Sequence, residues 1–142
     1  MKTIIFILTI VFVATGCNKS ENVEQSSSNN KLIGQWQLIE IYEGNGGSVN
    51  QWNSVENGYN YEFNSNGSFS SDRFVERSVG NYILTDNTIT LDFSCEEFNT
   101  GTEIPSGIFI ENFSFDNNNL VLVPSYLNCD EGCGFKFSKI KQ

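Results

Sequence analysis

The sequence predicts an all-β domain, an antiparallel sandwich or barrel. Short runs of alternating or aromatic-rich residues recur roughly every ten positions, each bounded by Gly, Asn, Asp or Ser clusters. Aromatic residues make up 13% of the chain and twelve of them are Phe, side chains that suit a pleated, half-buried surface better than a helix. No window of eleven or more residues carries a convincing helical period.

Eight strands are expected, at Gln35–Tyr42, Gly58–Asn64, Ser68–Phe74, Gly80–Thr85, Thr88–Phe93, Gly107–Phe115, Leu120–Pro124 and Gly134–Lys139. In the first, Trp36 and Leu38 fall on one parity and Ile39 and Ile41 on the other, which predicts a bulge. In the second, Tyr59, Tyr61 and Phe63 share a face against Asn60, Glu62 and Asn64. In the fifth, Ile89, Leu91 and Phe93 oppose Thr88, Thr90 and Asp92. Both are half-buried strands with one wet face. Asn64-Ser65-Asn66-Gly67, Asp86-Asn87 and Asp116-Asn117-Asn118-Asn119 tolerate the left-handed dihedrals of tight turns, so sequential strands should pair antiparallel. The polar stretches Glu43–Asn57 and Glu96–Ser106 read as loops, long enough to make contacts with another molecule.

Ahead of the domain, Lys2 and the eleven-residue run Ile4–Ala14, apolar except for Thr9, have the form of a signal peptide and are too short to span a bilayer permanently. Ala14-Thr15-Gly16-Cys17 then resembles the lipobox of bacterial lipoproteins. That resemblance implies cleavage after residue 16 and a covalently attached lipid at Cys17. The next segment, Asn18–Asn30, has one apolar residue and is expected to be a flexible tether. The expected organisation is therefore a leader at 1–16, a lipidated Cys and tether at 17–30, and one domain at 31–142. Such a product sits on the outer membrane of a cell envelope. Lys19 and Glu21 are similar to the charged signal that sends some Bacteroidota lipoproteins to the surface; either face remains open. A monomer is expected.

The formal net charge is −9, and loss of Lys2 with the leader takes it to −10. Such a surface repels phosphate backbones, which excludes nucleic acid as a partner. With Cys17 lipidated, Cys95, Cys129 and Cys133 remain, so one bridge and one leftover thiol are expected outside the cytoplasm. The favoured bridge starts at Cys95 and staples two distant loops. The competitor is Cys129–Cys133, where Gly132 would allow a tight turn. A closed zinc site would want four ligands, and the chain has no His. Asp130-Glu131 and Asp116–Asn119 lack the spacing of a calcium loop. No cofactor is implied. Without an imidazole base, and with Glu96-Glu97 reading as surface charge, the chain is expected not to be an enzyme.

The run Leu32-Ile33-Gly34-Gln35-Trp36-Gln37-Leu38 resembles the Gly-x-Trp opening of lipocalins. Tyr61-Glu62-Phe63, Gly67-Ser68-Phe69, Gly80-Asn81-Tyr82 and Gly134-Phe135-Lys136-Phe137 are similar to the lipocalin-like domains of small Bacteroidota lipoproteins. Where the lipocalin pattern places an Arg over that Trp, the end of this chain offers Lys136, Lys139 and Lys141. The resemblance covers roughly Lys31 to Ile140 and implies an eight-stranded antiparallel up-and-down barrel that can hold a small hydrophobic or amphipathic ligand. Trp36, Tyr59, Tyr61, Phe63, Tyr82 and Phe113 would line it, with Phe109 and Phe115 beside them. Aromatic side chains can equally fill a small barrel completely. The domain would then be a protein-interaction module, an inhibitor of a hydrolase or an accessory subunit of an envelope complex, acting through its loops.

Overall fold

The structure, a computed structural model, describes residues 23–43, 50–93, 98–129 and 132–140. The leader and lipobox with Cys17, the Lys19 and Glu21 pair, Cys95 with Glu96 and Glu97, and the Asp130-Glu131 pair lie outside the described residues. One helix, α1 (Val23–Leu32), precedes the strands β1 (Gly34–Glu43), β2 (Gln51–Ser54), β3 (Asn60–Phe63), β4 (Ser68–Phe74), β5 (Arg77–Leu84), β6 (Thr88–Asp92), β7 (Ile108–Asp116), β8 (Asn119–Pro124) and β9 (Cys133–Lys139). From β3 to β9 every strand pairs antiparallel with the next, and β1 pairs with both β3 and β9. These eight strands close an up-and-down barrel. All eight expected strands are present, with ends shifted by up to three residues.

Closure requires β1 to serve two neighbours while keeping its apolar side chains inward. Its register against β9 steps from Leu38↔Phe137 to Glu40↔Lys136, so Ile39 is the extra residue of the predicted bulge. The bulge resolves the parity conflict. Trp36 and Leu38 point inward before it, and Ile41, opposite Phe135, packs against the core after it.

Two segments depart from the sequence expectation. Val23–Leu32 is helical where a tether is expected. Its sequence has no apolar stripe, and the visible support is tertiary, at its C-terminal end. Leu32 is completely buried. Trp36 Nε1 donates to the Leu32 carbonyl at 2.6 Å and Lys139 Nζ to that of Lys31 at 3.0 Å, satisfying two of the carbonyls a helix end leaves without partners. The second departure is β2, inside the expected loop Glu43–Asn57. β3 covers only Gly34–Gln37 of the long strand β1, and Gln51–Ser54 takes up the same edge further along, at Glu40–Glu43.

The favoured Cys95 bridge is corrected. The disulfide joins Cys129 to Cys133, with Cα atoms 5.8 Å apart. Gly132, at φ +86°, adopts the left-handed conformation that turns the chain back, and its N–H donates to the Cys129 carbonyl at 3.0 Å. The local turn therefore brings the two sulfurs together without help from a distant loop.

The barrel has two unlike rims. The tight turns β3–β4, β5–β6 and β7–β8 lie at one, together with α1, which forms a helix rim. The described parts of the connections that follow β1, β4, β6 and β8, at residues 50, 75–76, 98–107 and 125–129, lie at the other, the loop rim. Inside, Trp36, Phe63, Phe69, Tyr82, Ile89, Leu91, Phe113, Leu120, Leu122 and Phe137 are buried in one cluster. Their rings meet mostly edge-on or tilted at centroid distances such as 5.2 Å for Phe63 and Tyr82 and 5.9 Å for Trp36 and Phe115, spacings at which aromatic pairs attract.

Candidate functional site

Alternation in β4 and β7 sends two charged side chains into the barrel. Phe69 and Ser71 are buried on one parity of β4, and Arg73 follows two residues later, where a register shift between Ser70 and Phe74 lets the neighbouring Phe74 pack on the core as well. In β7 the buried parity reads Phe109, Glu111, Phe113. Since successive strand residues point to opposite faces, a charge on the apolar parity has nowhere to go but inward.

Inside, the two meet. Arg73 Nη1 donates to Glu111 Oε1 at 3.3 Å and to the Tyr61 hydroxyl at 3.2 Å, and Nη2 donates to the Tyr126 hydroxyl at 3.0 Å. Tyr126 donates in turn to Glu111 Oε1 at 3.3 Å. Rings enclose the guanidinium: its carbon lies 4.9 Å from the Phe74 centroid, 5.1 Å from Phe109, 5.6 Å from Tyr59 and 5.7 Å from Phe135. Arg is suited to this because its planar cation both stacks on rings and donates in a fork. The Arg73 side chain keeps 14% of its surface exposed, whereas Glu111 keeps 1%. The cluster sits towards the loop rim, beside the segment 98–107, whose Phe98 packs on Phe74, Phe93 and Phe109.

Hydrogen bonding in the cluster is incomplete. Three of the five guanidinium N–H groups are used. Glu111 Oε2 is buried and has no partner. A buried carboxylate oxygen without a donor carries a desolvation cost that the Arg73 charge offsets only in part.

Burial also governs the titration of these groups. It pushes the Tyr61 phenol up to about 12 against the pull of Arg73, and pushes Tyr59 and Tyr126 upward as well. Burial raises Glu111 above the usual carboxylate range, opposed by the Arg73 charge. For Arg73 burial acts downward, but the surrounding phenol and carboxyl oxygens outweigh it and hold the guanidinium protonated. A part-buried cation and three neutral phenols with a neighbouring carboxyl group form a polar cluster set among rings. Among the described residues, no group of three His, Cys, Asp or Glu side chains could share a metal ion.

Of the aromatic residues expected to line a ligand, the cluster contains three, Tyr59, Tyr61 and Phe109. Tyr61 bonds Arg73 directly, and Tyr59 covers the guanidinium while touching Tyr61 at 5.5 Å. Phe63, Tyr82 and Phe113 belong to the ring-filled half near the helix rim, where the Tyr82 hydroxyl donates to the Asn64 carbonyl at 2.8 Å. Trp36 closes that rim, and Lys139 Nζ stands 5.1 Å above its ring, at the place where the lipocalin resemblance implies an Arg. Sequence reasoning missed Arg73, Glu111 and Tyr126. The first two carried a readable signal, since each interrupts an inward series of apolar or small residues. Tyr126 follows the end of β8, where no period extends.

A comparison with protein-family models returns no match, and a comparison with curated proteins returns none either.

Proposed function

We propose that this chain is a non-catalytic, membrane-anchored lipoprotein of lipocalin-like type that binds a small amphipathic molecule at the loop rim of its barrel. The observation that carries the reading is the Arg73 cluster: a part-buried cation with unused N–H groups and aromatic faces around it. An amphipathic ligand supplies what those surfaces lack, a polar head for the hydrogen bonds and an apolar body for the rings. The rings near the helix rim confine such a ligand to the outer half of the barrel.

A second reading, the interaction module, is favoured by a separate observation. Val75, in the β4–β5 turn, is 97% exposed and Ile104, in the 93–107 connection, is 92% exposed, both at the loop rim. Large apolar side chains on rim loops suit a protein partner.

Binding of the neutral fluorescent probe N-phenyl-1-naphthylamine to residues 18–142 separates the two. A saturable rise in probe fluorescence that Arg73→Lys weakens is expected, because Lys keeps the charge but loses the fork and the stacking. A linear, unsaturable rise would remove the binder. Trp fluorescence is the poorer reporter, since Trp36 lies at the opposite rim and the Trp52 ring sits 4.1 Å below Lys136 Nζ, a residue of the outward parity of β9.

A further inference from the structure

We propose that the loop rim carries a second site, separate from the Arg73 cluster, that binds a small monocarboxylic acid with a flat apolar body. An open cleft of about 410 Å³ lies there, lined by Phe74, Glu76, Arg77, Phe98, Asn99 and Thr100. Phe74 and Phe98 wall it off from the cluster. Their ring centroids lie 4.9 Å apart, and the Phe74 ring also stands 4.9 Å from the Arg73 guanidinium carbon. A guest in the cleft therefore needs no contact with Arg73 or Glu111.

Arg77 is the reason for a charged guest. It lies opposite Phe74 at the end of the β4–β5 hairpin, and the two-residue turn Val75-Glu76 keeps it at the rim. The chain has 17 acidic residues against 8 basic ones, yet among the described residues no carboxylate pairs with Arg77, whereas Arg73 has Glu111 and Lys136 has Glu40. Of the Arg77 guanidinium nitrogens only Nε is enclosed without a partner. The two Nη groups are the end that a guest meets, and a carboxylate matches their fork with two parallel hydrogen bonds.

The other polar groups of the cleft favour the same guest. Asn99 Oδ1 already accepts from the Gly101 N–H at 2.6 Å, and the NH2 group of that carboxamide remains to donate. Thr100 commits its N–H and its hydroxyl to Glu103. The cleft thus offers donors and takes an acceptor. Glu76, exposed on the same wall, limits the guest to one negative charge, because each further one would be repelled by it. Phe74 and Phe98 present ring edges, against which a flat apolar body packs.

The test is a titration of the mature chain carrying Cys17→Ser with phenylacetate, phenylacetamide and phenethylamine, followed by amide proton–nitrogen NMR correlation spectra. Phenylacetate should shift the signals of Arg77, Phe98 and Asn99 saturably, at concentrations about tenfold below those that phenylacetamide needs. The amine should cause no saturable shift. Arg77→Gln should erase the preference for acid over amide, and Glu76→Gln should tighten the acid by about twofold. Should Arg77→Gln fail to fold, raising the salt from about 0.05 M to about 0.5 M with the unmodified site replaces it, and the acid should then weaken while the amide holds. Acid and amide acting at equal concentrations would overturn the inference. So would shifts that map to the helix rim, a preference that survives in folded Arg77→Gln, or no shift at all. None of these outcomes touches the binding of N-phenyl-1-naphthylamine, which Arg73→Lys reports.

Discussion

Glu103 shows how one carboxylate can organise a long connection. Its Oε1 accepts from the backbone N–H of Thr100 at 3.1 Å and of Gly107 at 2.9 Å, and its Oε2 accepts from the Thr100 and Thr102 hydroxyls. Burial alone would raise its pKa, but these donors outweigh it and bring the carboxyl group down to about 2. A depressed folded value means stability that is complete above the unfolded pKa of about 4.3 and is lost as pH falls through 2. Acid titration of the unfolding free energy should therefore slope downward between about pH 4 and 2, and Glu103→Gln should flatten that slope while costing roughly 1–3 kcal/mol at neutral pH. A variant with the same acid slope as the parent would refute the assignment. The same connection holds Phe98 over the Arg73 cluster, so its melting should open the site. How far such residues can be read from sequence differs by case. Arg73 and Glu111 were legible as charges on the buried parity of their strands; Glu103 was not, because a loop has no period against which a polar residue stands out.

Among the elements, the strands were legible and the helix was not, for a physical reason. A strand with one wet face writes its alternation into the sequence, as Ile89, Leu91 and Phe93 do, and the parity break in β1 announced the bulge at Ile39. Helix α1 and strand β2 depend on partners outside themselves, on nearby Trp36 and distant Lys139 in one case and on the free edge of β1 in the other. The disulfide is likewise set by local geometry that loop-closure entropy does not report, the turn that Gly132 makes between Cys129 and Cys133. Closing so short a loop contributes only about 2 kcal/mol in the chain-entropy model. The β4–β5 pair has a stricter requirement. Phe69 lies opposite Gly80, and a Cβ at Gly80 would stand 2.3 Å from the Asp92 carbonyl oxygen and 2.7 Å from the Phe69 ring. Backbone cannot yield that much, so Gly80→Ala should destabilise the barrel by about 2 kcal/mol or more, read as a lower midpoint in urea unfolding. An unchanged midpoint would mean that the two strands slide apart at no cost.

For the whole molecule, the unlike rims suggest how the domain stands in its surroundings. On the proposed reading, lipid is attached at Cys17, six residue steps before α1 begins, a reach of at most about 20 Å. The helix rim then faces the bilayer and the loop rim, with the Arg73 cluster, faces away from it. Replacement Cys17→Ser should shift the protein from membrane to soluble fractions without changing probe binding. Recovery of the variant with membranes would remove the anchor. Barrel closure has one more consequence. The first and last strands are hydrogen-bonded neighbours, with Trp36 opposite Lys139, so the two ends of the barrel leave from one rim, side by side. Order along the polypeptide and order around the cylinder are thus nearly independent. A circular permutant, joined from Ile140 to Ile33 by a few glycines and opened at Asp86-Asn87, should assemble the same cylinder while dispensing with α1.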